Sequence, residues 1–217
     1  MSVETFDSVR TPNVKNIRKA LAGAVFVKRW AEGDPAITKV YTAVGGLIIP
    51  TGYTDVGVLS KSSAAKLARD TNTSDVESWG YAQPSRRDIT SDVTTVQFTM
   101  QESKRQVFEL HGGVDLSAVK ADTDGNIVID KPNRPQSIDW RVFVLCKDGD
   151  GADAIYWLDW LPMAQVTGVE DVENSETAER AYTVTMTGYE DPEVRTAHRQ
   201  VWGGPGLNVT GMGFTSA

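Results

Sequence analysis

Residues 94–113 read TTVQFTMQESKRQVFELHGG, and the periodicity of this stretch changes halfway along. Apolar side chains first alternate with polar ones at Val96, Phe98 and Met100. An alternation of period two is typical of a β-strand with one buried face. The first half of the stretch therefore predicts a strand that extends to about Phe98.

A helix is predicted directly after this strand, over about Met100–His111. Thr99 and Glu102 match a capping box, in which each side chain accepts a hydrogen bond from the backbone N–H of the other residue. One helical face is then formed by Met100, Lys104, Val107, Phe108 and His111. Gly112 and Gly113 predict the end of the helix, because glycine readily adopts the left-handed conformation found there.

The composition is that of a soluble, acidic, folded protein. The 217 residues are 40% hydrophobic and carry a net charge of −7, which excludes global disorder and the basic surface needed to hold nucleic acid. A single cysteine, Cys146, rules out an intrachain disulfide and is interpreted as an inert, small apolar residue. No apolar run is long enough to span a membrane. The first twenty residues lack a signal-peptide core, which predicts a protein that stays in the cytoplasm.

Strand patterns dominate the remaining sequence. Residues 23–31 predict one strand, and three further strands separated by short polar turns predict an antiparallel meander between residues 138 and 189. The long polar segment 54–92, which contains SAAKLARD at 63–70, is interpreted as a loop. Trp79 and Tyr81 within it are expected to need a buried environment. The glycine-rich end of the chain is not expected to pack as an element.

These patterns predict a mainly β fold: an antiparallel β-sandwich or flattened barrel with one flanking α-helix. Residues 122–133 resemble part of a calcium-binding loop, but Ile127 and Asn133 replace the required glycine and glutamate. No combination of nucleophile, base and orienting group is recognisable. The sequence therefore predicts no enzyme, no cofactor and no metal site.

An acidic segment separates the last two predicted strands, with Glu170, Asp171 and Glu173 at its start. One interpretation is a solvated turn. The other is that these carboxylates line a surface shared between assembled copies, where they would keep a polyanion moving.

Four blocks in order resemble the major tail proteins, or tail tube proteins, of long-tailed, non-contractile bacteriophages. The resemblance covers most of residues 16–191, and its blocks are NIRKALAGAVFV, TGYTDVGVLSKSS, TTVQFTMQESKRQVFELHGG and the long stretch DWRVFVLC to TVTMTGYED. It implies an N-terminal arm (1–22), a β-sandwich domain (23–191) and a C-terminal arm (192–217).

The resemblance also implies self-assembly into hexameric rings that stack into a tube, with strands of all subunits forming one barrel around a channel. The helix would cover one side of the sandwich through Val107, Phe108 and Leu110. The channel wall would include the threonines and carboxylates of the last strands, namely Glu170, Asp171, Glu173, Thr183, Thr185 and Thr187. The long loop would contact neighbouring rings through Arg69, Asp70, Trp79 and Tyr81.

The partners implied by the resemblance are other copies of the chain, a tape measure protein, a tail terminator and tail tip proteins. Double-stranded DNA would be present only in transit, and no membrane would be involved. The expected location is the virion tail, after assembly in the bacterial cytoplasm. Two alternatives stay open: a tube subunit of a contractile injection system, and a monomeric β-sandwich that binds carbohydrate on Trp79, Trp157 and Trp160.

Overall fold

Antiparallel strands make up most of the fold in the computed structural model, which describes residues 6–134 and 136–215. Within these residues no helix is long and apolar enough to cross a membrane. The helices are α1 (Phe6–Val9) and α2 (Arg105–Gly112). The strands are β1 (Ala22–Arg29), β2 (Tyr41–Thr42), β3 (Gly46–Leu47), β4 (Thr54–Asp55), β5 (Ala65–Val76), β6 (Arg86–Met100), β7 (Trp140–Asp148), β8 (Ile155–Val169), β9 (Tyr182–Tyr189) and β10 (Arg199–Gly203).

One large antiparallel sheet contains eight of these strands, in the order β4-β1-β7-β8-β9-β6-β5, and β10 pairs with β8. The predicted meander is present as β7-β8-β9. The mainly β, antiparallel fold with one flanking helix is thereby confirmed, although the sheet does not close into a barrel. Strands β2 and β3 form a separate small hairpin.

The sheet curves around its main hydrophobic core. Side chains from β1, β7 and β8 contact side chains from β6 and β9 in one buried cluster, and Val107 and Leu110 of α2 belong to the same cluster. The helix therefore covers the open side of the curved sheet. Phe108 is only half-buried and packs edge-on against Tyr182, with ring centroids 5.8 Å apart.

A second cluster covers the opposite face of β1, β7 and β8. Ile37 and Val40, from the segment that leads to β2, pack there against Phe143 and Trp160. The Trp160 indole donates a hydrogen bond to the Tyr53 hydroxyl at 3.0 Å. Burial raises the pKa of Tyr53 to about 12. Half of the sheet is thus buried on both faces.

The strand–helix junction differs from its prediction. Strand β6 continues to Met100, and α2 begins only at Arg105, after an N-cap residue Lys104 that makes no side-chain cap. Thr99 is held in the sheet, because its carbonyl accepts from Ser60 and its hydroxyl lies 2.8 Å from that of Thr183. The predicted capping box was therefore wrong. The predicted helix end is correct, since Gly113 adopts φ 61°.

Glu102 has a different partner from the one predicted. Its carboxylate accepts from the Val58 N–H at 2.7 Å. This hydrogen bond and the nearby Lys104 ammonium lower the pKa of Glu102 below its ordinary value. The side chain thus ties the segment after β4 to the end of β6, where Leu59 forms a bridge with Met100.

The predicted loop over residues 54–92 was also wrong for most of its length. Residues 65–76 form β5, and β6 already begins at Arg86, so the segment is a long hairpin. All twelve residues of β5 are exposed. The stretch SAAKLARD contributes to this strand rather than to a loop or a helical turn.

The C-terminal segment differs from its prediction because it contributes a strand. Residues of β10 pair with β8 from Arg199↔Trp160 to Gly203↔Tyr156. Further on, the Gly211 carbonyl accepts a hydrogen bond from the Asn16 side chain at 2.5 Å. The two regions predicted as arms therefore contact each other within one chain.

A buried ion pair links the sheet to the turn after β9. The Arg141 guanidinium and the Asp191 carboxylate are 1% and 0% exposed, and they lie 3.1 Å apart. Asp191 also accepts from the Trp30 indole and from the backbone N–H groups of Glu193 and Val194, each at 2.9 Å. The two buried charges thus face each other, and Asp34 lies 3.9 Å from the Arg141 Nε as a second, more distant counter-charge.

Candidate functional site: a polar sheet face and two free strand edges

A row of hydroxyl groups lies on the outer face of β6, β8 and β9. Along β9 buried residues alternate with the half-buried Thr183, Thr185 and Thr187. Directly opposite them on β6 lie Thr95, Gln97 and Thr99. On the other side of β9, the Thr167 hydroxyl of β8 lies 2.7 Å from the Thr187 hydroxyl. We call this surface the threonine face; it consists of Thr95, Gln97, Thr99, Thr167, Thr183, Thr185 and Thr187.

The predicted acidic residues divide between this face and a nearby loop. Glu170 follows β8 and accepts from the Gln97 amide at 3.1 Å, and its carbonyl oxygen accepts from His111 at 2.9 Å. Asp171 and Glu173 lie on the exposed loop that leads to β9. The structure therefore joins Glu170 to the three threonines of β9 and leaves Asp171 and Glu173 outside the threonine face.

The β5–β6 hairpin carries ion pairs that the sequence reading missed. Arg69 donates two hydrogen bonds to Asp92, at 2.7 and 2.6 Å. Arg87 donates two to Asp75, at 2.7 and 2.8 Å. These bonds hold the pKa of both carboxyl groups below the ordinary value. The sequence does contain arginines and aspartates in both strands. These charges predict specific ion pairs only when the register of the two strands is known.

The four predicted loop contacts occupy different parts of this hairpin. Arg69 and Asp70 are neighbours within β5 and therefore point to opposite faces. Trp79 and Tyr81 lie in the turn between the strands, and Trp79 is fully exposed at 102%. The buried environment expected for these two aromatic rings is therefore not supplied by their own chain. Large exposed aromatic side chains commonly mark contact surfaces.

Several strand edges lack a neighbour among the residues that the structure describes, and two of them matter for the threonine face. The first is the outer edge of β5, which pairs only with β6. The second is the side of β8 over residues 165–169, because β7 pairs with β8 only as far as Trp140↔Ala164. An unpaired edge exposes backbone donors and acceptors and invites pairing with another chain. Both edges border the threonine face.

The three tryptophans considered for carbohydrate binding do not form a common platform. Trp160 is fully buried, whereas Trp79 lies in the hairpin turn. Trp157 stacks on Trp202, with ring centroids 5.1 Å apart. The rings are thus dispersed over the core, the hairpin and β8.

The other residues considered for chemistry have structural partners. Asp122 accepts from the backbone N–H groups of Asp124 and Asn126, which closes a tight turn. Burial raises the pKa of Cys146 to about 11, so its thiol is protonated near neutral pH. Within residues 6–134 and 136–215, no group of three or more His, Cys, Asp or Glu side chains could hold a metal ion.

Comparisons with known proteins identify a family. No curated protein matches the sequence. Three solved structures are similar to this chain. The anti-feeding prophage tube-terminating cap has 9% identity and a TM-score of 0.42, with 92% of this chain and 99% of that one covered. The anti-feeding prophage baseplate has 12% identity and a TM-score of 0.41, with coverage of 92% and 100%. The Hcp protein has 13% identity and a TM-score of 0.31, with coverage of 82% and 97%.

Because all three TM-scores are low, the assignment rests on a family model. The model described as phage tail tube protein matches residues 10–201, which include strands β1 to β9, the helix α2 and both free edges. The chain belongs to the phage tail tube protein family.

Proposed function

We propose that this protein is the subunit of a phage tail tube, and that it self-assembles into hexameric rings that stack around a channel. The observation that carries this proposal is that two unpaired strand edges border one polar face. A ring of identical subunits satisfies both edges at once, because each copy offers one edge to each neighbour. Family membership supports the same structural role.

The proposal specifies which edges meet. The outer edge of β5 in one copy pairs with residues 165–169 of β8 in the next copy. The strands β5, β6, β9 and the second half of β8 then continue from subunit to subunit as one sheet. The threonine face becomes the wall of the channel, with Glu170 at its border.

Such a wall suits the passage of DNA. DNA binds proteins mainly through Lys and Arg, which displace counterions from the phosphates. The threonine face offers neutral hydroxyl and amide groups, β5 adds one lysine and one aspartate to the same side (Lys66 and Asp70), and the protein as a whole carries a net charge of −7. The DNA would therefore be hydrated and weakly repelled rather than held. Asp171 and Glu173, on their exposed loop, would add to this repulsion.

The tip of the β5–β6 hairpin would join successive rings. Trp79 and Tyr81 lie there with exposed rings, and the Arg69–Asp92 pair holds the two strands together nearer the sheet. Replacing Trp79 with serine should therefore leave rings intact and shorten or abolish tubes in electron micrographs. A Val44→Ser variant is the control, since Val44 is also fully exposed but lies in the turn between β2 and β3.

Electron microscopy combined with hydrogen exchange tests the whole proposal. Purified protein should form rings or tubes at high concentration. Amides of β5 and of residues 165–169 should exchange quickly in the monomer and slowly in the assembly, whereas β7, which has neighbours on both sides, should not change. A protein that stays monomeric at every concentration, with both edges already protected, would refute the proposal.

The expected partners follow from this role. A tube of defined length needs a tape measure protein inside it, a terminator at one end and tail tip proteins at the other. We propose that the tube is built in the bacterial cytoplasm and functions in the virion tail. A pull-down from infected cells with the tagged subunit measures these associations.

A further inference from the structure

An exposed apolar segment lies beside the free edge of β8. Ile127 and Val128 are 63% and 69% exposed, and Ile129 follows them directly. β-Branched residues favour strands, yet within the described residues the backbone of 127–134 makes no hydrogen bond to the rest of the chain. The segment therefore has the composition of a strand without a strand's partners.

This segment is on the core side of the sheet. Ile129 lines a surface depression together with Phe108, Val169 and Tyr182. Val169 ends β8 and pairs with the buried Val184, so its half-exposed side chain also points to the core side. We call Ile127, Val128, Ile129 and Val169 the seam patch. It lies behind the free edge, on the opposite side of the sheet from the threonine face.

The other free edge has a matching apolar residue. Leu67 of β5 pairs with the fully buried Val96, so its side chain points to the core side, yet it is 40% exposed. It is exposed because no described strand lies outside β5. Each free edge thus has polar groups on one side of the sheet and apolar groups on the other.

The charges around the two surfaces are complementary. Asp124 and Asp130 flank the three apolar residues of the loop, and Lys61 precedes β5. In the part of the chain that the structure describes, none of these three groups makes an ion pair. Opposite charges on facing surfaces steer association and fix its register.

We infer that the seam patch of one copy covers Leu67 of the neighbouring copy. This inference rests on the proposed function, because the contact exists only if β5 of one copy meets β8 of the next. The wall would then have two layers at every subunit boundary: hydrated threonines towards the channel, and an apolar layer behind them that excludes water from the paired backbones. Lys61, which precedes β5, would lie near the aspartates of the loop.

A pair of introduced cysteines measures this contact directly. The Leu67→Cys, Ile129→Cys double variant is oxidised under assembly conditions and analysed on a non-reducing gel. It should give a ladder of linked subunits about tenfold more abundant than either single variant, because a disulfide requires Cα atoms within about 7 Å. The native Cys146 is retained, since burial keeps its thiol protonated. The wild type shows how much disulfide-linked product Cys146 gives by itself.

A charge in the seam patch provides a second, independent measurement. Ile129→Asp should raise the protein concentration needed for assembly about tenfold, because a carboxylate would be buried against Leu67 without a partner. Val44→Asp introduces the same charge at an exposed position in the β2–β3 turn and should assemble like the wild type. Circular dichroism of the monomers checks that both variants are folded.

The outcomes separate this inference from the proposed function. If the wild type forms tubes, the double variant gives no ladder and Ile129→Asp assembles normally, the seam patch is refuted and the tube role stands. A disulfide formed within one chain also refutes the inference, because the patch would then cover its own Leu67. If the wild type forms neither rings nor tubes, both fail.

Discussion

Replacing Asp191 with asparagine should destabilise the monomer strongly. Asparagine keeps the shape but has a single acceptor oxygen. If that oxygen still accepts from the Glu193 and Val194 N–H groups, the NH2 group faces the Trp30 and Arg141 donors, so the substitution removes the charge and one acceptor. The Arg141 guanidinium, 1% exposed, then keeps only Asp34 as a counter-charge, 3.9 Å from its Nε and shared with Lys28. Breaking a buried ion pair in this way costs about 3–5 kcal/mol. For a chain of this length that lowers the midpoint of thermal unfolding by about 10 °C.

The pH dependence gives a second readout of the same pair. Burial by itself would raise the pKa of Asp191, but hydrogen bonds from Val194, Trp30 and Glu193 and the charge of Arg141 lower it below the ordinary value of 3.8. A lowered carboxyl pKa stabilises the folded state above pH 3.8, and this stabilisation is lost as the pH falls through the folded-state pKa. Asp191→Asn should lack that acid-induced loss.

Thermal unfolding followed by circular dichroism from pH 7 to pH 2 measures both effects. The control is Glu190→Gln, which breaks the exposed Glu190–Arg195 pair next to Asp191 in the sequence and should cost no more than about 1 kcal/mol. Combining Arg141→Met with Asp191→Asn should cost less than Asp191→Asn alone, because no unpaired charge stays buried. The reasoning is refuted if Asp191→Asn is as mild as Glu190→Gln.

Three further predictions test local features. Gly57→Ala should destabilise by about 1–3 kcal/mol in urea unfolding, because Gly57 has φ 98° and an added Cβ would collide with the Glu102 carboxylate; an unchanged midpoint would contradict this. Cys146 should react slowly with Ellman's reagent at pH 8 and quickly in denaturant, since burial raises its pKa to about 11. Arg87→Gln should speed hydrogen exchange near Asp75 without changing the thermal midpoint, because exposed pairs contribute little to global stability.

The central strands were predictable because their side chains alternate cleanly. Burial along β9 follows period two from Tyr182 to Gly188, as the sequence indicates. The end of α2 was predictable because glycine readily adopts the left-handed conformation that ends a helix, and Gly113 has φ 61°. The start of α2 was not, because Thr99 has two competing partners, and its hydroxyl contacts Thr183 rather than a helical N–H. A local motif cannot reveal a partner that is distant in sequence.

The hairpin was missed for a related reason. Polar residues of low strand propensity fill β5, and its stability depends on pairs such as Arg69–Asp92 that exist only in the correct register. The same limit applies to the candidate site. The alternation of Thr183, Thr185 and Thr187 predicts a shared face. The extent of β8 to Val169 was also predicted. The contact of Glu170 with Gln97 was not, because it depends on the strand order that places β6 next to β9.

Strand β8 has a consequence for synthesis on the ribosome. It pairs with β7, β9 and β10, and β1 can pair only after β7 has been made, so the sheet is completed only by strands late in chain order. Pairing between distant segments is slow, whereas β5 and β6 are close in sequence and can pair during translation. A nascent chain thus displays one docking edge but not the other. If the subunits assemble as proposed, fragments still bound to the ribosome would be unable to polymerise, and assembly would start only from released subunits.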